Sequence, residues 1–213
     1  MWLWLLSGIL SIPLILLAYL SWTGFFIPVR LQITKTPRLL FLYKQHLGPY
    51  KKVGKAFSII REKYLPHFGP GTSLAGLYFD SPACVLDEDR CRSCVGVLVR
   101  EEEESKARAF MVGKPFLKLK SLPSTDSVLA TSRLCGWVTY LTLGWRVYKP
   151  LLSYARKTKS LPEGCVPATL EVYNEGHQPA LLEVYLPFGN DREEFNLSAY
   201  PKPPYKPDTS KKL

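Results

Sequence analysis

The stretch ATLEVYNEGHQPALLEVYLP, residues 168–187, contains the tetrapeptide Leu-Glu-Val-Tyr twice, at 170–173 and 182–185. In each copy apolar and polar residues alternate, which is the period of a half-buried β-strand. The pattern therefore predicts a hairpin of two antiparallel strands, over 168–173 and 180–186.

The predicted hairpin carries the most suggestive combination of side chains in the chain. Side chains alternate between the two faces of a strand, and neighbours across an antiparallel pair can touch. We expect the two glutamates and two tyrosines of the repeats to share one face: Glu171, Tyr173, Glu183 and Tyr185. Two carboxylates flanked by two rings would bind a flat cation through Coulomb attraction and cation–π contact. The alternative is the solvated outer face of a half-buried hairpin.

The hairpin closes the second of two similar units. In the first unit a strand, a helix and two strands are predicted at 38–46, 49–64, 73–79 and 91–99. In the second unit the same order is predicted at 127–134, 135–157, 168–173 and 180–186. A further strand is expected at 116–122, and an acidic run at 101–104 is interpreted as a solvated loop. The sequence thus predicts an α+β fold over 38–190, with a cleft where the two units meet.

The second predicted helix has an apolar stripe at helical spacing. Its expected buried face consists of Trp137, Leu141, Trp145, Tyr148 and Leu152. Pro150 lies inside this helix and should kink it, because the ring removes a backbone hydrogen bond and clashes with the preceding turn.

The first 22 residues include the run WLWLLSGILSIPLILLAYLSW, at 2–22, which has no ionisable side chain. About 20 mostly apolar residues suffice to cross a bilayer. The run therefore predicts an uncleaved transmembrane signal-anchor helix over 1–23, followed by a juxtamembrane linker over 24–37; a removed signal peptide is the alternative. The basic residues of the linker place the following domain in the cytosol. The tail at 191–213 is expected to be flexible.

The chain has 28 basic and 18 acidic residues, a net charge of +10. A basic surface attracts either anionic lipid or nucleic acid. The predicted anchor favours an integral membrane partner, so we do not expect direct nucleic-acid binding.

Five cysteines are present, and Cys91 and Cys94 form a single C-x-x-C pair. A structural zinc site usually needs two such pairs, so no metal and no cofactor are expected. Nor does the sequence show a nucleophile–base pair, and we therefore predict a protein that is not an enzyme.

The two-unit layout, the His46-Leu47-Gly48-Pro49-Tyr50 turn and the closing Glu183-Val184-Tyr185-Leu186-Pro187 resemble the GyrI-like domain family. This family includes bacterial small-molecule-binding proteins and effector domains of drug-sensing regulators, which hold aromatic cations between their repeats with acidic and aromatic residues. The resemblance implies a ligand cleft containing the four hairpin residues. Some relatives hydrolyse cyclopropanoid compounds, which implies a third possibility, a hydrolase in which Glu183 places a water.

A more detailed resemblance is to the membrane-anchored, testis-expressed 264 branch of this family. It rests on short motifs in matching order: Tyr43-Lys44, Gly48-x-Tyr50, Cys91-Arg92, Arg146-Val147 and Leu170-Glu171-Val172-Tyr173. This resemblance implies a single-pass endoplasmic-reticulum protein with a cytosolic domain. It would act as an adaptor or receptor in autophagy of that organelle (reticulophagy), or recruit the valosin-containing segregase ATPase. The long acidic tail that carries the autophagosome-binding motif of that branch is not found in this sequence.

Overall fold

The structure is a computed structural model that describes residues 2–69, 71–161, 168–176 and 178–205, with side chains from residue 11 onward. In chain order the helices and strands are α1 (Trp2–Trp22), β1 (Arg30–Lys35), β2 (Leu39–Leu47), α2 (Val53–Lys63), β3 (Ser73–Tyr78), β4 (Arg92–Val99), α3 (Glu104–Met111), β5 (Leu117–Leu122), β6 (Asp126–Arg133), α4 (Trp137–Leu143), α5 (Lys149–Lys157), β7 (Thr169–Asn174) and β8 (Leu181–Pro187). A π-helical turn, Gly144–Tyr148, joins α4 to α5.

The strands form one eight-stranded sheet in the order β1-β6-β8-β7-β3-β4-β2-β5, and every pairing is antiparallel. Outward from the central β7–β3 pair, each half of the sheet repeats the same arrangement. One half contains β2, α2, β3 and β4, and the other contains β6, α4 with α5, β7 and β8. The α+β class and the repeated strand-helix-strand-strand order are therefore confirmed.

The two faces of the sheet bury different sets of apolar residues. The helix face packs the inward side chains of the strands against α2 and α5, including Leu74, Val97, Val184, Ile60 and Leu151. The opposite face, which we call the open face, has its own buried cluster, including Phe41, Leu77, Leu98, Leu170 and Phe195. Since Phe195 comes from the segment after β8, the chain folds back over part of the open face.

Three segments that were expected to be irregular are ordered. The predicted linker at 24–37 contains β1, which pairs with β6 at the edge of the sheet. The predicted acidic loop runs into α3. The predicted flexible tail forms a helical turn, Asn190–Phe195, and continues in contact with the domain, where the backbone N–H of Leu86 donates to the carbonyl of Pro204 at 3.1 Å. The rest of the tail prediction, 206–213, lies outside the described residues.

The N-terminal prediction also needs correction. Helix α1 runs over Trp2–Trp22, and its side chains are described from Ser11 onward. Among the residues that the structure describes, no helix combines the length and the apolar character that crossing a membrane requires. This finding contradicts the transmembrane helix predicted over 1–23. The predictions of a single-pass endoplasmic-reticulum location and of an integral membrane partner depended on that helix. Without it, neither prediction is supported.

The buried face of the second long helix differs from the predicted one. Trp137, Leu141 and Trp145 are exposed, whereas Val147 and Leu151 are buried. Apolar residues occupy more than one side of α4, so their spacing alone does not select the side that packs on the sheet. The structure has a π-helical turn, Gly144–Tyr148, shortly before Pro150, at a position where the proline ring disrupts the normal hydrogen bonds. The kink predicted at Pro150 stays a prediction.

Gly96 in β4 lies where β4 comes very close to the neighbouring strand β2. A Cβ atom on Gly96 would lie 2.0 Å from the carbonyl oxygen of Leu42, a backbone atom of β2. We expect Gly96→Ala to lower the free energy of unfolding by about 3 kcal/mol or more, because the strands must move apart. Urea denaturation followed by circular dichroism measures the change.

Gly54 in α2 provides the matched control, because a Cβ atom there would have no atom within 4 Å. Gly54→Ala should raise the free energy of unfolding by roughly 0.5–1 kcal/mol through helix propensity. A Gly96→Ala protein as stable as the unmodified chain would show that β2 and β4 are not packed this closely.

Candidate functional site

The register of the last hairpin separates the four predicted site residues. Val172 is paired with Glu183, and Glu171 is paired with Val184. Directly opposed residues of an antiparallel pair share a face, so the two glutamates point in opposite directions. The prediction of one common face is therefore wrong. The four residues divide into two pairs, Glu171 and Tyr173 on the helix face, and Glu183 and Tyr185 on the open face.

Glu171 lies at the centre of the sheet, beneath the helices, and is only 2% exposed. The hydroxyl of Tyr148 donates to its Oε1 at 2.5 Å, and the hydroxyl of Tyr173 donates to its Oε2 in a short hydrogen bond. The Tyr78 hydroxyl also acts on this carboxylate and favours its ionised form. Three phenols thus surround one carboxylate, and we call this arrangement the Glu171 cluster.

Both structural units contribute to the Glu171 cluster. Tyr78 ends β3 in the first unit, while Tyr148 and Tyr173 belong to the second. Gly76 of β3 lies directly opposite Glu171, and a Cβ atom there would come within 2.9 Å of Tyr78. The absence of a side chain at Gly76 therefore makes room for the tyrosine ring beside the carboxylate. The cluster lies at the junction where a cleft was predicted.

Further aromatic rings surround the cluster. Tyr50 packs edge-on against Tyr78 with ring centroids 4.8 Å apart, and Phe57 of α2 packs edge-on against Tyr173 at 5.3 Å. On the other side Tyr140 of α4 lies 6.0 Å from the Tyr173 ring. Tyr50 and Phe57 are half-buried and Tyr140 is exposed, so these rings form the boundary between the carboxylate and solvent.

Burial raises the pKa of Glu171 above its ordinary value, although the hydrogen bonds from Tyr148, Tyr173 and Tyr78 oppose this shift. Burial also raises the pKa of each of these tyrosines well above its ordinary value, and the nearby Glu171 charge adds to the effect. The phenols therefore stay protonated and donate, and the carboxylate accepts.

Among the described residues, no basic side chain forms a salt bridge with Glu171. Arg61 of α2 pairs instead with Glu175, and its Nε lies 3.1 Å from Glu175 Oε2. Sequence reasoning found Glu171 and Tyr173 but missed the contributions of Tyr78 and Tyr148. Tyr148 was assigned to an apolar helix face, a pattern that shows ring burial but not where the hydroxyl points.

Glu183 and Tyr185 lie on the open face with different partners. The Tyr185 hydroxyl and the Asn174 amide donate to Glu183 Oε2 at 3.2 and 3.1 Å. These residues line a cavity of about 260 Å³ at one end of the strands. Since the cavity holds no side chain of the Glu171 cluster, the two glutamates belong to separate environments. The hydrolase in which Glu183 places a water stays a prediction.

The cysteine pair is not arranged as a metal site. Cys91 and Cys94 are buried and free, and burial raises the pKa of the Cys91 thiol to about 11 and that of the Cys94 thiol to about 12. Within the described ranges, no group of three or more His, Cys, Asp and Glu side chains is placed to hold a metal ion.

No protein-family model and no curated protein sequence matches this chain. Several solved structures are similar in shape. EcmrR in its DNA complex is 12% identical with a TM-score of 0.49, and the match covers 86% of this chain and 66% of that one, just under two thirds. SAV2435 bound to tetraphenylphosphonium is 10% identical with a TM-score of 0.48, covering 79% and 99%. A hydrolase from Listeria innocua is 15% identical with a TM-score of 0.43, covering 78% and 96%.

Because these TM-scores lie below 0.5, the function proposed below rests on the side chains of this chain. Membership of the GyrI-like family stays a prediction from the sequence motifs. The adaptor role in autophagy or segregase recruitment is not supported by these comparisons, since none of the three proteins named is described in those terms.

The raised pKa of Glu171 predicts a specific pH dependence of stability. Protonated Glu171 contributes stability that is fully present below its ordinary pKa of 4.5 and is lost as the pH rises through the higher folded-state pKa. Glu171→Gln removes this ionisation. We expect the free energy of unfolding of the unmodified chain, minus that of Glu171→Gln, to fall as the pH rises above 4.5 and then to level off.

Urea denaturation of both proteins at pH values between about 4 and 8 measures this difference. Subtracting one curve from the other cancels the titration of groups that both proteins share. A difference that increased with pH would mean that folding lowers the pKa of Glu171, contrary to the burial seen here.

Proposed function

We propose that this chain is a non-enzymatic binding module for small aromatic cations, with Glu171 as the residue that holds the positive charge. The observation that carries the proposal is a carboxylate buried beneath the helices, held by tyrosine hydroxyls and lacking a basic partner among the described residues. The proposal keeps Glu171 and Tyr173 from the predicted ligand set and replaces Glu183 and Tyr185 with Tyr78 and Tyr148.

Asp80 offers a comparison within the same molecule. It is 5% exposed, and Arg92 donates to both of its carboxylate oxygens at 2.9 Å. This is the usual way to bury a carboxylate, because an ion pair offsets part of the desolvation cost. Glu171 is at least as deeply buried and lacks that compensation. Its negative charge is available to a cationic ligand in an environment where electrostatic attraction is strong.

The surrounding rings fit the aromatic part of such a ligand. Tyr50, Phe57 and Tyr140 present ring surfaces around the cluster. Aromatic faces attract cations, and the attraction grows when water is excluded. Because Glu171 itself is only 2% exposed, a ligand reaches it through movement of the outer rings, of which Tyr140 is the most exposed. Binding therefore involves a local rearrangement on the side of α4.

A purely structural role is the competing interpretation. Hydrogen-bonded polar clusters also stabilise protein interiors, and three phenols around one acid satisfy its hydrogen-bonding capacity well. The two interpretations differ in one respect that can be measured. A structural cluster has no affinity for a cation, whereas a binding site loses affinity when the charge of Glu171 is removed.

Tetraphenylphosphonium is a suitable probe because it combines a permanent positive charge with aromatic surface. We expect isothermal titration calorimetry to detect binding to the unmodified chain, and Glu171→Gln to weaken it at least tenfold, about 1.4 kcal/mol. Glu183→Gln is the matched control, because it makes the same change in the second copy of the tetrapeptide, on the opposite face. It should change the affinity by less than about twofold.

Triphenylphosphine oxide, a neutral compound with similar rings, separates charge from apolar contact. It should bind much more weakly than the cation. Affinity for the cation should also rise with pH as Glu171 ionises, in line with its raised pKa. Equal affinity for the cation in all three proteins, or no binding to the unmodified chain, would refute the proposed function.

A further inference from the structure

The cavity beside Glu183 and Tyr185, which is separate from the Glu171 cluster, lies at the end of the sheet where β3 and β8 begin and β4 and β7 end. Its volume is about 260 Å³. Val172 and Tyr185, both buried, form apolar parts of its lining, and Glu183 lies between them on the open face. The cavity therefore combines an apolar wall with the carboxylate of Glu183, and a second glutamate, Glu101, also lines it.

The carboxylate of Glu183 is held in a fixed orientation by its neighbours. Asn174 Nδ2 and the Tyr185 hydroxyl both donate to Oε2, at 3.1 and 3.2 Å. The Asn174 amide is oriented in turn by the Ser73 hydroxyl, which donates to its Oδ1 at 2.6 Å. Both of these donors use Oε2, so among the described residues Oε1 stays available to accept hydrogen bonds from a ligand.

The rim of the same cavity carries two arginines, with the carboxylate of Glu101 beside them. Arg38 and Arg100 both line it. The Arg38 side chain is 71% exposed, and its Nε lies 3.9 Å from Glu101; Arg100 Nε lies 3.4 Å from Glu103. Both side chains of the Arg38–Glu101 pair are exposed, and a pair of this kind at 3.9 Å holds Arg38 weakly. A guanidinium has five N–H donors, so both arginines retain donors for an incoming carboxylate.

We propose that this cavity binds a small ω-amino acid, with its ammonium group on Glu183, its aliphatic chain against Val172 and Tyr185, and its carboxylate on Arg38 and Arg100. A ligand of this class offers one group to each part of the lining: an ammonium to the carboxylate, an aliphatic chain to the apolar side chains and a carboxylate to the arginines. The site is separate from the proposed aromatic-cation site and does not depend on it.

The test uses 5-aminopentanoate as the probe and saturation-transfer NMR with titration on the full chain. Pentylamine and pentanoate, which each keep one charged end, are the comparison compounds. We expect 5-aminopentanoate to bind at least tenfold more tightly than either. Glu183→Gln should weaken its binding at least tenfold, and Arg38→Gln should weaken it severalfold.

Glu171→Gln is the control and should leave 5-aminopentanoate binding unchanged. If Glu183→Gln does not fold, Arg38→Gln still tests the site, because the side chain is largely exposed. The proposal would be overturned if 5-aminopentanoate did not bind the unmodified chain. It would also be overturned if the Glu183→Gln and Arg38→Gln proteins bound 5-aminopentanoate as tightly as the unmodified chain does. Binding of tetraphenylphosphonium measured on the same proteins reports separately on the Glu171 cluster.

Discussion

The pairing of β7 with β8 determines which acidic and aromatic side chains lie beneath the helices. Each strand carries the same tetrapeptide, but the register places Val172 opposite Glu183, so the two copies point to opposite faces. A shift of one residue would exchange the faces of every side chain in β8. The apolar residues Leu182 and Val184 lie in the helix-face core in the observed register, and their burial stabilises it. One packing preference thus creates two chemically different sites from one repeated motif.

The position of Glu171 follows from the duplicated architecture. β7 and β3 form the central pair of the sheet, where the two units meet and where α2 and α4 with α5 cover the same surface. A side chain at that point is far from both sheet edges, and its neighbours come from both units. The aromatic residues there exclude water, which raises the pKa of the carboxyl group while also strengthening any electrostatic contact it makes. The ionised carboxylate of Glu171 is therefore less stable here than it would be in water. This is also the position where the charge of a ligand would have the largest effect.

Much of this fold could be predicted from the sequence, because apolar periodicity and turn residues mark elements directly. The hairpin at 168–186, the helix ending near Tyr64 and the repeated order of elements all follow from such patterns. The register of β7 with β8 could not be predicted, because the connection between the strands allows pairings of either parity and both copies have alternating residues. The exposed side of α4 was equally undetermined, since apolar residues surround it.

The predicted membrane span shows that the composition of a segment is not enough to predict how it is placed. The run at 2–22 has no ionisable side chain, and composition alone favoured a span, yet the described part of the chain contains no helix that meets the requirements for crossing a bilayer. The role of Tyr148 was also missed, because ring burial follows from spacing while the direction of a hydroxyl depends on residues distant in sequence. Sequence patterns therefore located Glu171 and Tyr173 of the site but not Tyr78 and Tyr148.

The most direct measurement is the carbon-13 NMR titration of the Glu171 carboxyl carbon, assigned by its loss in Glu171→Gln, with and without saturating tetraphenylphosphonium. We expect a pKa above the ordinary 4.5 in the free protein, because of burial, and a lower pKa when the cation is bound, because its charge stabilises the ionised form. A pKa at or below 4.5 in the free protein, or one that the bound cation leaves unchanged, would contradict the proposed role of Glu171.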